Sequence, residues 1–164
     1  MAIELSTAGI LVKWAVETTE GTRPTSGYST LRGVKSIPDF NPEPSTIQVT
    51  PLAETEWHHY IPGLKDPGGP QALTVNDYAD FRTDWGSLMT AYTTAHASNK
   101  ALWIEYYVAP LAAQSVAKPS FFYSATPSEL GFAGAEVDSA LENQPYLTPN
   151  KIEGWAAAST TATT

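Results

Sequence analysis

The fold class of this chain of 164 residues is decided by one stretch, Ala101-Leu102-Trp103-Ile104-Glu105-Tyr106-Tyr107-Val108. Its β-branched and aromatic residues are typical of a β-strand, and Pro110 ends it. Side chains alternate between the two faces of a strand. One face carries Leu102, Ile104, Tyr106 and Val108, and the other carries Trp103, Glu105 and Tyr107. Both faces present large apolar groups, so we expect this strand to be buried on both sides.

Stretches of similar composition predict further short strands, separated by 13 prolines and 11 glycines. They cover residues 10–17, 30–37, 45–50, 56–61, 71–75, 120–125 and 152–156. Three prolines between Pro38 and Pro44 exclude a helix and a central strand there. We therefore predict that residues 39–71 form a long hairpin that protrudes from the body.

One amphipathic helix is predicted over residues 75–98, because an apolar stripe repeats there at helical spacing. The stripe consists of Tyr78, Phe81, Trp85, Leu88 and Tyr92. Thr74 and Asp77 have the spacing of a capping box at its start, and Asn99 is a suitable C-terminal stop. Residues 111–119 are predicted to be a loop.

Together these elements predict a mostly β, α+β fold, an antiparallel β-sandwich with one flanking α-helix and a long protruding hairpin. The sequence is interpreted as a single domain over residues 1–156. Residues 157–164 form a low-complexity tail of Ser, Thr and Ala that we expect to be flexible.

The charge balance excludes some classes of function. The chain has 17 acidic and 9 basic residues and a net charge of −8. A protein that holds nucleic acid or an anionic membrane by charge needs clustered Lys and Arg, so both classes are disfavoured. Charged residues make up only 16%, against about 25% in average proteins. This low proportion suggests that much of the surface is covered by other protein.

No motif for catalysis, metal binding or a cofactor emerges. His58 and His59 are adjacent in a predicted strand and therefore point to opposite faces. Asp77, Asp80 and Asp84 line one helical edge, which the helix dipole and solvent explain better than calcium does. The chain has no cysteine. We predict no enzymatic activity, no metal and no cofactor.

No targeting or membrane-spanning segment is recognisable from the sequence. The longest apolar run near the start ends at Lys13, and Glu4 stands where a signal peptide carries positive charge. No run approaches the roughly 18 apolar residues of a membrane span. We expect a cytoplasmic product without a membrane partner.

One pair of segments resembles a known family. Thr46-Ile47-Gln48-Val49-Thr50-Pro51-Leu52, followed by Tyr60-Ile61-Pro62-Gly63-Leu64-Lys65-Asp66, is similar to the hairpin of the tail tube (major tail) proteins of long-tailed bacteriophages with non-contractile tails. The order of the predicted elements along nearly the whole chain is also similar to that family. Pro42 and Pro44 depart from it by stiffening the hairpin, and residues 126–150 are longer than its outline needs.

The resemblance implies a structural virion protein that assembles with itself. Six copies would form a ring whose strands join into one inner β-barrel, and stacked rings would form the tail tube through which DNA is ejected. It implies as partners further copies of the chain, the tape measure protein and the tail terminator, with DNA passing through the lumen without specific binding. The implied location is the virion tail, assembled in the cytoplasm of the bacterial host.

Three groups of residues become candidates for this assembly. The ring-stacking candidates in the hairpin are Asp39, Phe40, Asn41, Pro42, Glu43, Pro44, Glu54, Glu56 and Trp57. The candidates for acidic residues facing the lumen are Glu105, Glu17 and Glu129. The candidates for strands between subunits are Trp103, Tyr107 and Phe122.

Two other interpretations remain open at this point. The aromatic residues of residues 101–108 and 120–125 could instead form a stacking platform on a monomeric β-sandwich of the carbohydrate-binding type. A related tail terminator or connector protein would have a similar fold and would differ only in how it stacks.

Overall fold

The computed structural model describes residues 4–160, and its largest element is a six-stranded sheet. The strands are β1 (Ile10–Val16), β2 (Ser29–Thr30), β3 (Val34–Ser36), β4 (Thr46–Gln48), β5 (Tyr60–Pro62), β6 (Gln71–Ala72), β7 (Thr74–Asn76), β8 (Leu102–Val108), β9 (Ser120–Pro127), β10 (Glu142–Asn143) and β11 (Tyr146–Ala156). The helices are α1 (Ala79–His96) and α2 (Ala109–Ala113). The predicted mostly β, α+β fold is confirmed.

The large sheet has the strand order β2-β1-β8-β9-β11-β6, and all of its pairings are antiparallel. Two smaller sheets have the orders β10-β7-β3 and β4-β5. The decisive stretch of the sequence forms β8, as predicted, and lies between β1 and β9 at the centre of the large sheet. Its central position explains why both of its faces are apolar.

The main core lies between α1 and one face of the large sheet. Phe81, Trp85 and Leu88 of α1 are buried there. They belong to one cluster with the face of β8 that carries Leu102 and Ile104. The predicted stripe is thus correct in its centre, whereas Tyr78 at its start is exposed.

The start of α1 differs from the prediction. Thr74 lies in β7, and the N-cap is Tyr78, which makes no side-chain capping bond. The carboxylate of Asp77 instead accepts hydrogen bonds of 2.7 Å from Nε and from Nη2 of Arg82. The predicted capping box is therefore wrong, because a nearby guanidinium binds the carboxylate. Asn99 has a φ of 56° just beyond the helix, as a C-terminal stop requires.

Two predicted strands are each divided between two sheets. The segment 30–37 separates into β2 and β3 around Gly33, whose φ is 85°. A Cβ at Gly33 would lie 2.6 Å from Cε1 of Tyr78, so the turn also needs the space that glycine leaves. The segment 71–75 separates into β6 and β7 around the fully buried Leu73.

The C-terminal half contains more regular structure than predicted. The predicted loop over residues 111–119 begins with the last three residues of α2. Strand β11 is 11 residues long, and register shifts beside Pro149 and Gly154 let these two residues lie within it. Residues 161–164 of the predicted flexible tail lie outside the described residues. Ser159 and Thr160, in contrast, are hydrogen-bonded to Glu105 and Thr25.

Candidate assembly surfaces

A two-stranded arm, residues 39–71, presents apolar side chains that nothing in the described chain covers. Strands β4 and β5 pair only with each other, with Ile47 opposite Ile61. These two side chains are 52% and 46% exposed. Leu64, beyond β5, is 91% exposed. An isolated ladder with exposed isoleucines on one face is typical of a surface that binds protein.

The tip of the arm is organised by one carboxylate. Oε1 of Glu54 accepts the backbone N–H groups of Thr55 at 3.0 Å, Glu56 at 2.9 Å and Trp57 at 3.5 Å. These N–H bonds, first that of Glu56, and the contact with His59 lower the pKa of Glu54. Glu54 therefore stabilises the turn that exposes Trp57. Of these two ring-stacking candidates, Glu54 has a structural role in the turn, and Trp57 is the exposed side chain. Glu56 contributes only its backbone.

The base of the arm is fixed to the body by Phe40. Its ring centroid lies 4.8 Å from that of Tyr123 and 5.4 Å from that of Phe121. Phe40 was predicted as a ring-stacking residue, and the structure places its half-buried ring against the core. The other stacking candidates near it are exposed as expected, namely Asp39, Asn41, Pro42, Glu43 and Pro44.

The large sheet leaves one long strand edge unpaired. Strand β6 pairs with β11 only at Tyr146 and Leu147, so within residues 4–160 no strand pairs with the same edge over Lys151–Ala156. Trp155 lies in that free part and is 50% exposed. At the other end of the sheet, β2 pairs with β1 only at Lys13 and Trp14. Open edges of this kind invite pairing with another strand.

The second face of the sheet, opposite α1, is covered by the chain itself. The indole Nε1–H of Trp103 donates a hydrogen bond of 2.9 Å to Glu17. The guanidinium of Arg23 lies 3.9 Å from the ring centroid of Phe122. Trp103 and Phe122 are buried, so they cannot contact another subunit in this conformation. Of the predicted inter-subunit residues, Tyr107 is partly exposed.

Two of the three predicted lumen-facing acids point inwards. Glu105 is fully buried and accepts hydrogen bonds from Ser120 and Ser159. Glu17 is 5% exposed. Burial opposes its ionisation, but bonds from Trp103, Ala101 and Gly21 outweigh this effect and lower its pKa. Only Glu129 is exposed, so an acidic lining built by Glu105 and Glu17 is wrong for this conformation.

The remaining polar candidates contact side chains of opposite or complementary polarity. Arg32 binds Asp80 at 3.0 Å and Asp84 at 2.9 Å, while Asp77 binds Arg82. His59 contacts Glu54 at 3.2 Å. Within residues 4–160, no three His, Asp or Glu side chains are grouped to hold a metal ion. In the same part of the chain, neither helix combines the length and the apolar character needed to cross a bilayer.

Trp155, Ile61 and Leu64 are exposed apolar residues that were not predicted to be candidates. A signal for Ile61 and Leu64 was present, since both lie beside prolines or glycines in a segment predicted to protrude. No comparable signal existed for Trp155, because the strand prediction could not say which edge stays open.

Comparison with solved structures finds a chain of similar fold. No family model matches the chain, and no curated protein matches it. A chain in the solved structure described as the cryo-EM structure of the anti-feeding prophage (AFP) baseplate, 6-fold symmetrised, has a similar fold, with a TM-score of 0.64. The match covers 95% of this chain and 98% of that chain at 12% sequence identity. The two chains therefore share a fold over almost their whole length.

Proposed function

We propose that this chain is a structural protein of a phage tail or tail-like particle, which assembles with further copies of itself into rings that stack into a tube. Its fold is that of a chain from a prophage baseplate, a component related to phage tails. The observation that carries the proposal is the combination of an open strand edge at β11 with an exposed apolar arm. The sequence resemblance to tail tube proteins points in the same direction.

Ring formation follows from the two ends of the large sheet. The free edge of β11 and the sparsely paired edge of β1 are different surfaces, so contact between them joins copies head to tail. A head-to-tail contact closes into a ring when its rotation allows closure, and a closed ring removes the open edges. We propose rings of six.

Stacking follows from the arm. The face with Ile47 and Ile61 leaves the body beyond the anchored Phe40 and would bind the neighbouring ring. The tape measure protein and the tail terminator are further proposed partners, and DNA would pass through the lumen without specific binding. We expect the protein to act in the virion tail after assembly in the host cytoplasm, without an enzymatic step.

Two substitutions separate ring formation from stacking. Trp155→Lys places a charge at the open edge and is expected to leave monomers. Ile61→Lys places a charge on the arm and is expected to leave single rings that do not stack. Gln48→Lys is the matched control, because Gln48 lies on the other face of the same ladder. Mass photometry and electron microscopy measure both steps. Normal tubes from Trp155→Lys and Ile61→Lys would contradict the proposal.

A second candidate function is a component of the end of the tail, such as a baseplate, connector or terminator protein. The similar chain belongs to a baseplate, which favours this candidate. Such a protein would form one ring and would not polymerise. Single rings from the unmodified chain at every concentration would support it over a tube protein.

A further inference from the structure

Two segments lie together over the second face of the large sheet, and we call them the cover. They are residues 18–29, which follow β1, and residues 157–160, which follow β11. The backbone N–H of Thr160 donates a hydrogen bond of 3.0 Å to the carbonyl oxygen of Thr25, and Ser26 and Thr160 form a β-bridge. The segments are thus joined to each other as well as to the sheet.

The cover lies over a face of the sheet that carries two large buried aromatic groups. Trp103 and Phe122 point away from the core between α1 and the sheet, yet they are 3% and 0% exposed. Arg23 and Tyr28 of the cover lie against the ring of Phe122. Most residues of segment 18–29 are themselves exposed. A face that carries two large aromatic side chains is therefore closed by a thin, mostly exposed layer.

The buried carboxylate of Glu105 is held without a positive charge. Its Oε1 accepts hydrogen bonds of 2.7 Å from Ser120 Oγ and 3.1 Å from Ser159 N, and its Oε2 accepts one from Ser159 Oγ. It forms no ion pair with any residue in the described range 4–160. Burying a charge with only neutral donors is costly. Two of the three donor groups belong to the cover, so the closed state depends on Ser159.

A cation that could replace Ser159 stands on the neighbouring strand. Lys13 of β1 is the direct cross-strand partner of Glu105 and lies on the same face. Its ammonium, however, lies over the ring of Tyr107, 4.7 Å from the centroid. Directly opposite residues on one face are close enough for a lysine to reach a carboxylate. Glu105 therefore has two alternative sets of partners, only one of which is used.

We propose that the cover is an autoinhibitory device that opens during assembly, and that Glu105 exchanges Ser159 for Lys13 as it opens. This inference rests on the proposed assembly of copies through the large sheet. In the free chain, the closed cover shields Trp103 and Phe122. In the assembled chain, the Glu105–Lys13 pair offsets the lost hydrogen bonds, and the aromatic face becomes available to a second copy. Each state thus has its own contacts, as a two-state element requires.

Three substitutions test the exchange, and they are expected to act in different directions. Glu105→Gln removes the buried charge and keeps hydrogen-bonding capacity, so the cover stays closed and assembly slows several-fold. Ser159→Ala removes one donor from Glu105, so the cover opens and assembly accelerates. Lys13→Met removes the second partner and slows assembly, whereas Lys13→Arg, the matched control, preserves the wild-type rate. Glu105→Gln and Ser159→Ala changing the assembly rate in the same direction would overturn the inference.

A disulfide staple tests the opening directly. Ser26 and Thr160 are bridge partners, which places their Cα atoms in the range that a disulfide spans. The chain has no other cysteine, so a Ser26→Cys, Thr160→Cys variant forms only this bond within one molecule. The oxidised variant is expected to remain unassembled and the reduced variant to assemble. Each single-cysteine variant is the control. Wild-type assembly by the oxidised variant would overturn the inference.

Amide hydrogen exchange in the unassembled chain separates this inference from the proposed function. Exchange over residues 18–29 is expected to slow in Glu105→Gln and to accelerate in Ser159→Ala. If these shifts occur although no variant ever forms rings, the control of the cover by Glu105 stands, whereas its role in assembly and the proposed function fail. If rings form while neither variant changes exchange, the cover is refuted and the proposed function stands.

Discussion

The ring of Phe40 packs 4.8 Å from the ring of Tyr123, which anchors the protruding arm in the core of the sheet. Tyr123 is fully buried and lies on β9, opposite Ile104 of β8. The direction in which the arm leaves the body is therefore set by the central strands. This contact connects the arm, one of the surfaces on which the proposed assembly depends, to the sheet that carries the other.

Removing this anchor is expected to loosen the arm. Phe40→Ala should lower the free energy of unfolding by about 2 kcal/mol, because removing the half-buried ring leaves a cavity between the arm and β9. Chemical denaturation measures the loss, and amide exchange over the arm should rise. Glu43→Ala, a nearby exposed change, is the control and should change stability by less than about 0.5 kcal/mol. Equal stabilities of the two variants would contradict the anchoring role.

The arm tip provides a second matched pair, Glu54→Ala and Glu56→Ala. Only the side chain of Glu54 accepts the N–H groups of Thr55, Glu56 and Trp57. Amide exchange at these three positions should accelerate in Glu54→Ala and remain unchanged in Glu56→Ala. The same acceleration in both variants would show that the turn does not depend on that carboxylate.

Acid stability should depend on Asp77. Its hydrogen bonds with Arg82 lower the pKa of its carboxyl group in the folded state, more than burial raises it. A lowered folded-state pKa gives stabilisation that is complete above the unfolded-state pKa of about 3.9. That stabilisation is lost as the pH falls through the still lower folded-state value.

The variant Asp77→Asn should therefore lose stability at neutral pH and show a weaker loss on acidification. Denaturation curves recorded from neutral pH to below the unfolded-state pKa measure both effects. Arg82→Gln removes the same pair from the other side and should also weaken the acid dependence, although Asp77 keeps its hydrogen bond from Asn143. If the free energy of unfolding of both variants falls with acidification as steeply as that of the wild type, groups other than Asp77 cause the acid dependence.

Two glycines are expected to respond to alanine in opposite ways. Gly33 has a φ of 85° and its Cβ would lie 2.6 Å from Tyr78, so Gly33→Ala should destabilise by about 2 kcal/mol. Gly86 lies inside α1 and a Cβ there meets nothing within 4 Å. Gly86→Ala should stabilise by about 0.5–1 kcal/mol. Thermal unfolding measures the stability of both variants. A change of the melting temperature in the same direction for both would contradict this prediction.

Local patterns were sufficient where the structure depends on neighbours in sequence. The alternation within Leu102–Val108 predicted β8, and helical spacing of Phe81, Trp85 and Leu88 predicted the buried face of α1. These patterns indicate which face of an element is apolar, and the apolar face is the one that is buried when the chain folds.

Contacts between distant residues could not be predicted in this way. Glu17 binds Trp103 across 86 positions of sequence, and Glu105 binds Ser159 across 54. Strand position made both glutamates candidates for an exposed lining, but their hydrogen-bond donors arrive only through the tertiary fold. The contact of Phe40 with the core was not predicted for the same reason, because its aromatic partners on β9 follow it by about half the chain.

Electron microscopy of the purified, unmodified chain over a range of concentrations tests the central claim of self-assembly most directly. We expect closed rings that stack into hollow tubes as the concentration rises. In a reconstruction that resolves individual strands, β11 of one copy should lie beside β1 of the next. A chain that stays monomeric at every concentration, with the edge of β11 and the face of Ile47 and Ile61 still in solvent, would contradict it.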